Sequence, residues 1–268
     1  MTDFAISGGR ISAYPAKLFG AQFVGSRATY CLNDDLIAGL DTNVLAIPNL
    51  PITVLTNSPV KVDETFFGMH VQYRSNDGLP GVTAKIVRSH DLQSGTGQWK
   101  FIETSDNVWN WSNIDAWVNA HHSAGRELVF VLFGTPTWAS ARPAEVGAYG
   151  ANYSGLCAEP SDMTKWDRFC TQVATRYKGK IGYYEVWNEP NLNNNGTTTS
   201  GSNFFFSGTF TKLSEMVRRA NQAIKAVDPT AKIICPPVQG WQATYGTSDS
   251  YFTGMMSASD GATGTMKD

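Results

Sequence analysis

The sequence predicts an α/β fold whose parallel sheet is wound as a barrel, behind a small β-rich N-terminal segment. Three observations predict it. From about residue 64 onward, short apolar runs alternate with amphipathic helical patterns, as crossover connections between parallel strands require. The run at 127–133 is apolar almost throughout, which suits a strand covered on both faces. Long polar and aromatic loops follow the strand ends, and the turn after the first strand lacks a glycine-rich phosphate fingerprint. A barrel is therefore favoured over a doubly wound sheet.

Each element has its own warrant. Residues 1–60 hold brief runs such as Val44-Leu45-Ala46-Ile47, punctuated by Pro48, Pro51 and Pro59. They read as short strands of an N-terminal extension, with a second domain over 61–268. Five strands follow, at 65–71, 84–88, 127–133, 181–187 and 231–235. Between them, Ile114, Trp117, Val118 and His121 share a helical stripe, with Ser112 as the expected N-cap. Met163, Trp166, Phe169, Cys170, Val173 and Tyr177 form the next, capped by Ser161 and ended near Gly179. A third runs from Phe210 to Val227 and stops at Asp228-Pro229.

Composition excludes several function classes. Charged residues are 16% and aromatics 12%, the reverse of a disordered chain. A net charge of −2 offers no polyanion-binding surface, so nucleic acid is not expected as a partner. No apolar run is long enough to span a bilayer, so no membrane partner is expected. The N-terminus lacks a basic segment followed by an apolar one, so no secretory signal is read there. The spacing of Cys31, Cys157, Cys170 and Cys235 fits no zinc or redox motif. Cys157 and Cys170 could pair in an oxidising compartment, but buried free thiols are the favoured reading. No metal and no cofactor are expected.

The chemistry concentrates in Tyr184-Glu185-Val186-Trp187-Asn188-Glu189-Pro190-Asn191. It ends an apolar strand, where barrels carry catalytic groups. Pro190 stops the strand and disfavours helix at Glu189, so that carboxyl is held on a turn at the barrel mouth. This stretch resembles the acid/base strand of clan A glycoside hydrolases, and further pieces occur in the expected order. Phe67-Gly68-Met69-His70 resembles their first strand and Val87-Arg88-Ser89-His90-Asp91 their second. Phe133-Gly134-Thr135-Pro136-Thr137-Trp138-Ala139 resembles the third strand of family 39 and its relatives.

The resemblance, over roughly residues 64–245, implies a (β/α)8 TIM barrel of the glycosidase type. The implied function is retaining hydrolysis of O-glycosidic bonds in a poly- or oligosaccharide. It casts Glu189 as acid/base, Asn188 as a sugar contact and Arg88 as the active-site floor cation. His70 ends the first strand and could reach the pocket. Trp138 is a candidate platform for a sugar ring, Trp241 a second, and Trp99, Trp109 and Trp111 could widen the cleft.

A retaining enzyme needs a second carboxyl about 5–5.5 Å from the first. After Glu189 the sequence holds a single glutamate, Glu215, expected mid-helix at a surface position. Glu185 lies four residues earlier, about 13 Å along a continuous strand. A full barrel takes about 250 residues. The expectation is therefore a barrel truncated after about the fifth strand, with the nucleophile beyond this chain. The alternative is a non-catalytic carbohydrate-binding protein on a degenerate barrel.

Overall fold

The computed structural model describes residues 4–7, 10–13, 22–24, 27–29, 66, 68–70, 84–90, 97–191, 205–239 and 248–267. The chain divides into two compact units, Met1–Val62 and Asp63–Asp268. In the first, β1 (Phe4–Ser7) pairs antiparallel with β2 (Arg10–Ala13), and β3 (Gln22–Val24) with β4 (Arg27–Thr29).

The second unit carries β5 (Gly68–His70), β6 (Ile86–Arg88), α1 (Trp99–Ile102), β7 (Glu103–Ser105), β8 (Val108–Trp109), α2 (Ser112–Ser123), β9 (Glu127–Leu132), α3 (Met163–Tyr177), β10 (Tyr183–Val186), α4 (Phe210–Val227), β11 (Lys232–Ile234) and α5 (Ser248–Ser257). Its main sheet is parallel, in the order β11-β10-β9-β6-β5. The strands follow one another in space as they do in sequence. A doubly wound sheet reverses direction at a switch point, whereas this unbroken order is that of a barrel wall.

Register sorts the side chains by face, since residues paired across parallel strands point the same way. One row holds Val87, Leu128, Phe130, Leu132, Tyr184 and Val186, all fully buried under the helices. The opposite row holds His70, Arg88, Val129, Val131, Tyr183 and Glu185. The helix-covered row is the hydrophobic core. It packs on Trp117 of α2, Trp166 and Phe169 of α3, and Leu213, Met216 and Ile224 of α4. The opposite row carries the charged pair Arg88–Glu185.

All five expected strands form, and β6, β9, β10 and β11 are shorter at their ends than the apolar runs implied. Two expected caps differ. Ser112 is the first helical residue of α2, and Asn110 Oδ1 accepts from its hydroxyl at 2.8 Å. For α3 the cap is Asp162, whose carboxylate accepts from the Thr164 amide at 2.9 Å, while Ser161 donates to the Ala139 carbonyl. At α3 the polar neighbour Asp162 has the extended backbone that capping needs, whereas α2 is preceded by Trp111, whose side chain makes no cap. The sequence reading missed α1, the β7–β8 hairpin and α5. The first two are too short for a period to be legible. Cys157 and Cys170 are buried free thiols, and burial pushes the Cys157 thiol up to about 12.

Candidate active site

The strand β10 ends at Val186 because the backbone turns at Trp187, whose φ is 66°. A bulky residue in the left-handed region is held there only by its surroundings. Here the Trp187 amide donates to the Leu132 carbonyl at 2.9 Å, and its indole N–H donates to the Phe205 carbonyl at 2.9 Å. Its ring is fully buried edge-to-face against Phe133 and Phe206, each with centroids 5.0 Å away. Glu189 follows at φ 43°, so Pro190 excludes a right-handed helix but the chain takes the left-handed region instead of an extended one.

This double bend breaks strand alternation. A continuing strand would give Glu185 and Glu189 the same face about 13 Å apart. Instead Asn188 is swung to the side of Glu185, and one guanidinium holds both. Arg88 Nε donates to Glu185 Oε2 at 3.0 Å, and Arg88 Nη2 donates to both Glu185 Oε1 and Asn188 Oδ1, the latter at 2.7 Å. Asn188 is 4% exposed, and its Nδ2 lies 3.4 Å from Glu189 Oε2. Glu189 itself is half-buried. The sequence-derived residues Arg88, Asn188 and Glu189 are thus brought together, and Glu185 joins them. Its signal was a carboxylate inside an otherwise apolar strand, which burial tolerates only with a partner.

His70 is the register partner of Arg88 and shares its face, exposed at the strand end. It packs near His90, ring centroids 5.5 Å apart, and its Nε2 donates to the His90 carbonyl. His90 is buried against Phe133. Burial first, then the neighbouring Arg88 and His70 charges, push its imidazole down to about 3.

Trp138 takes part in a different cluster. Its indole donates to the Glu103 carbonyl at 3.2 Å, its ring meets Trp99 edge-to-face, and Lys165 and Arg168 of α3 lie over it at 5.3 and 5.9 Å. Trp99 is fully buried in the core, while Trp109 and Trp111 stack on each other at 5.1 Å. Trp241 and Asp91 lie outside the described residues. Glu215 sits on α4, ion-paired with Lys212 at 2.9 Å and half-buried, so it is neither at a strand end nor on the surface. Among the described residues no set of His, Cys, Asp or Glu side chains converges as a metal-ligand group.

Two further contacts, absent from the sequence reading, secure the loops around this turn. Arg142 donates to both oxygens of Glu159 at 3.0 and 2.6 Å, to Glu145 at 2.9 Å and to Ser207 Oγ at 2.7 Å. Ser207 follows Phe205 and Phe206, the residues that hold Trp187. Asn191 clasps the backbone of Gln239 through both its amide atoms, at 2.8 and 2.9 Å, tying the loop after β10 to the one after β11.

A family model described as Cellulase (glycosyl hydrolase family 5) matches residues 102–259, more than half of the chain. The chain belongs to glycosyl hydrolase family 5. Like the family 39 enzymes that its motifs resemble, family 5 falls within clan A. The family 5 chain is also similar to a β-xylosidase of Geobacillus stearothermophilus, 27% identical over 201 residues, which are 69% of this chain and 36% of that protein. Among solved structures it is similar to the family 39 enzyme of Xanthomonas axonopodis pv. citri, with TM-score 0.47 and 19% identity, over 64% of this chain and 35% of that one. A family 39 glycoside hydrolase from Bacteroides cellulosilyticus WH2 matches with TM-score 0.43 and 13% identity, over 65% of this chain and 32% of that one. The chain spans about a third of the length of these relatives.

Proposed function

We propose that this chain carries the acid/base half of a retaining glycoside hydrolase site that cleaves O-glycosidic bonds, with β-xylosides as the first substrate class to test. The observation that carries the reading is the strained turn at the end of β10, which presents Asn188 and Glu189 together beside Arg88. Strain of this kind persists where the surroundings over-determine it, and it clusters at functional sites. In this reading Glu189 protonates the departing oxygen and then activates the water that releases the sugar. The amide of Asn188 donates to a sugar hydroxyl beside the reacting carbon, a contact that strengthens in the transition state. The β-xylosidase among the relatives motivates the choice of sugar. The second carboxylate is assigned outside these 268 residues, since Glu215, the sole glutamate after Glu189, is engaged on a helix.

The test is hydrolysis of xylo-oligosaccharides and 4-nitrophenyl β-xyloside by the product of the whole gene, beside its Glu189→Gln variant. Poor leaving groups need the proton, so the variant should lose roughly 100-fold or more on xylo-oligosaccharides and much less on the activated aryl glycoside. Equal losses on both would remove the acid from Glu189. The 268-residue chain alone should cleave neither, and robust hydrolysis by it would mean that the second carboxylate lies within it.

A further inference from the structure

We infer that Glu185 is a positioning residue of this site: through Arg88 it fixes which way the Asn188 amide faces. This rests on the glycosidase reading above and adds a role for the β10 carboxylate that Arg88 holds.

The five N–H bonds of a guanidinium are coplanar and fixed in direction, and it accepts nothing. Arg88 spends its Nε hydrogen and one Nη2 hydrogen on the two oxygens of Glu185. That side-on grip sets the plane and the rotation of the fork. The second Nη2 hydrogen then has a single direction left, and Asn188 Oδ1 lies along it at 2.7 Å. Glu185 therefore aims the hydrogen that Asn188 receives.

The consequence falls on the amide. An asparagine side chain can present either its oxygen or its NH2 to a given neighbour. Because Arg88 has no acceptor, the Asn188 oxygen must face it, and the NH2 must face the other way, toward Glu189 at 3.4 Å. The site is thereby committed to offering a donor, not an acceptor, beside the acid. Glu185 also meets the charge of Arg88 in a nearly closed environment, with side-chain exposures of 8% and 24%. Without that carboxylate the fork is free to rotate toward Glu189, and the amide loses the hydrogen that orients it.

The experiment is a double-mutant cycle on the whole-gene product, with Glu185→Gln and Asn188→Ala alone and combined. Hydrolysis of 4-nitrophenyl β-xyloside and binding of xylohexaose are both measured, and thermal unfolding is followed for each variant. Glu185→Gln is nearly isosteric but cannot accept from both Nε and Nη2 of Arg88 with a full charge. It should lower kcat roughly tenfold with KM little changed in the Asn188 protein, because misorientation is felt most in the transition state. In the Asn188→Ala background the same substitution should cost less than about twofold, since the group it positions is gone. Additive losses would overturn the inference while leaving the glycosidase reading intact. Should Glu185→Gln fail to fold, the cycle is run with Glu185→Asp, and the same two outcomes decide. A folded product that neither cleaves nor binds these sugars overturns both the inference and the reading beneath it.

Discussion

Asn188 is the residue on which the site turns. It is buried, it takes its orientation from a cation and its NH2 faces Glu189. In the proposed reading, replacing it with alanine removes a contact to a sugar hydroxyl that is strongest in the transition state. Asn188→Ala should therefore cost about 2 kcal/mol, seen as roughly a 30-fold loss in kcat/KM. Unchanged kcat/KM would take the sugar contact away from it. The motif around Asn188 and Glu189 was legible because proline and strand polarity speak locally. Trp187 was not. Nothing in a tryptophan announces a φ of 66°, which exists only because Phe133, Phe206 and the Phe205 carbonyl close around it after folding.

At the scale of elements, the sequence was read well wherever periodicity ran long. The stripes of α3 and α4 and the apolar run of β9 reach the core as expected. Ends were read less well, because a cap is decided by one residue's backbone and not by a pattern. Asp162 and Ser161 make that testable. Asp162→Ala should cost about 1 kcal/mol, read as a lower denaturant midpoint at constant slope. Ser161→Ala should cost less, since Ser161 leaves the α3 amides to its neighbour. The reverse ranking would restore Ser161 as the cap. The Arg142 network was illegible for another reason. It joins residues separated by up to 65 positions, and neither end carries a local signal.

For the whole molecule, the buried imidazole of His90 sets a pH dependence. It titrates near 3 in the folded chain and near 6.5 unfolded. Between those values the unfolded chain binds a proton that the folded chain refuses. The stability linked to this group is complete above about pH 6.5 and is lost as the pH falls toward 3, by of order 5 kcal/mol at the limit. Thermal midpoints measured across that window should fall more steeply for the native chain than for His90→Gln. Parallel curves would mean that other groups carry the acid sensitivity. The barrel was inferable from alternation together with the long loops after the strands and the absence of a glycine-rich turn, whereas the meeting of β6 with β10 through Arg88 and Glu185 needed three dimensions.

That meeting also sets a clearance. Arg88 and Glu185 stand on strands separated by β9 and pair with Val129 and Val131 of it, so their Cα atoms are two strand spacings across and two residues along, about 12 Å apart. The guanidinium must pass over the middle strand, across the row that carries Val129 and Val131. Valine is short enough to lie beneath such a crossing. A taller side chain at 131 becomes an obstacle in the path of an ion pair that it never touches chemically. Val131→Leu should leave the helix-covered core undisturbed, yet lower turnover about as far as Glu185→Gln does. Val131 would then act as the height limit under which the pairing of Arg88 with Glu185 is allowed to form.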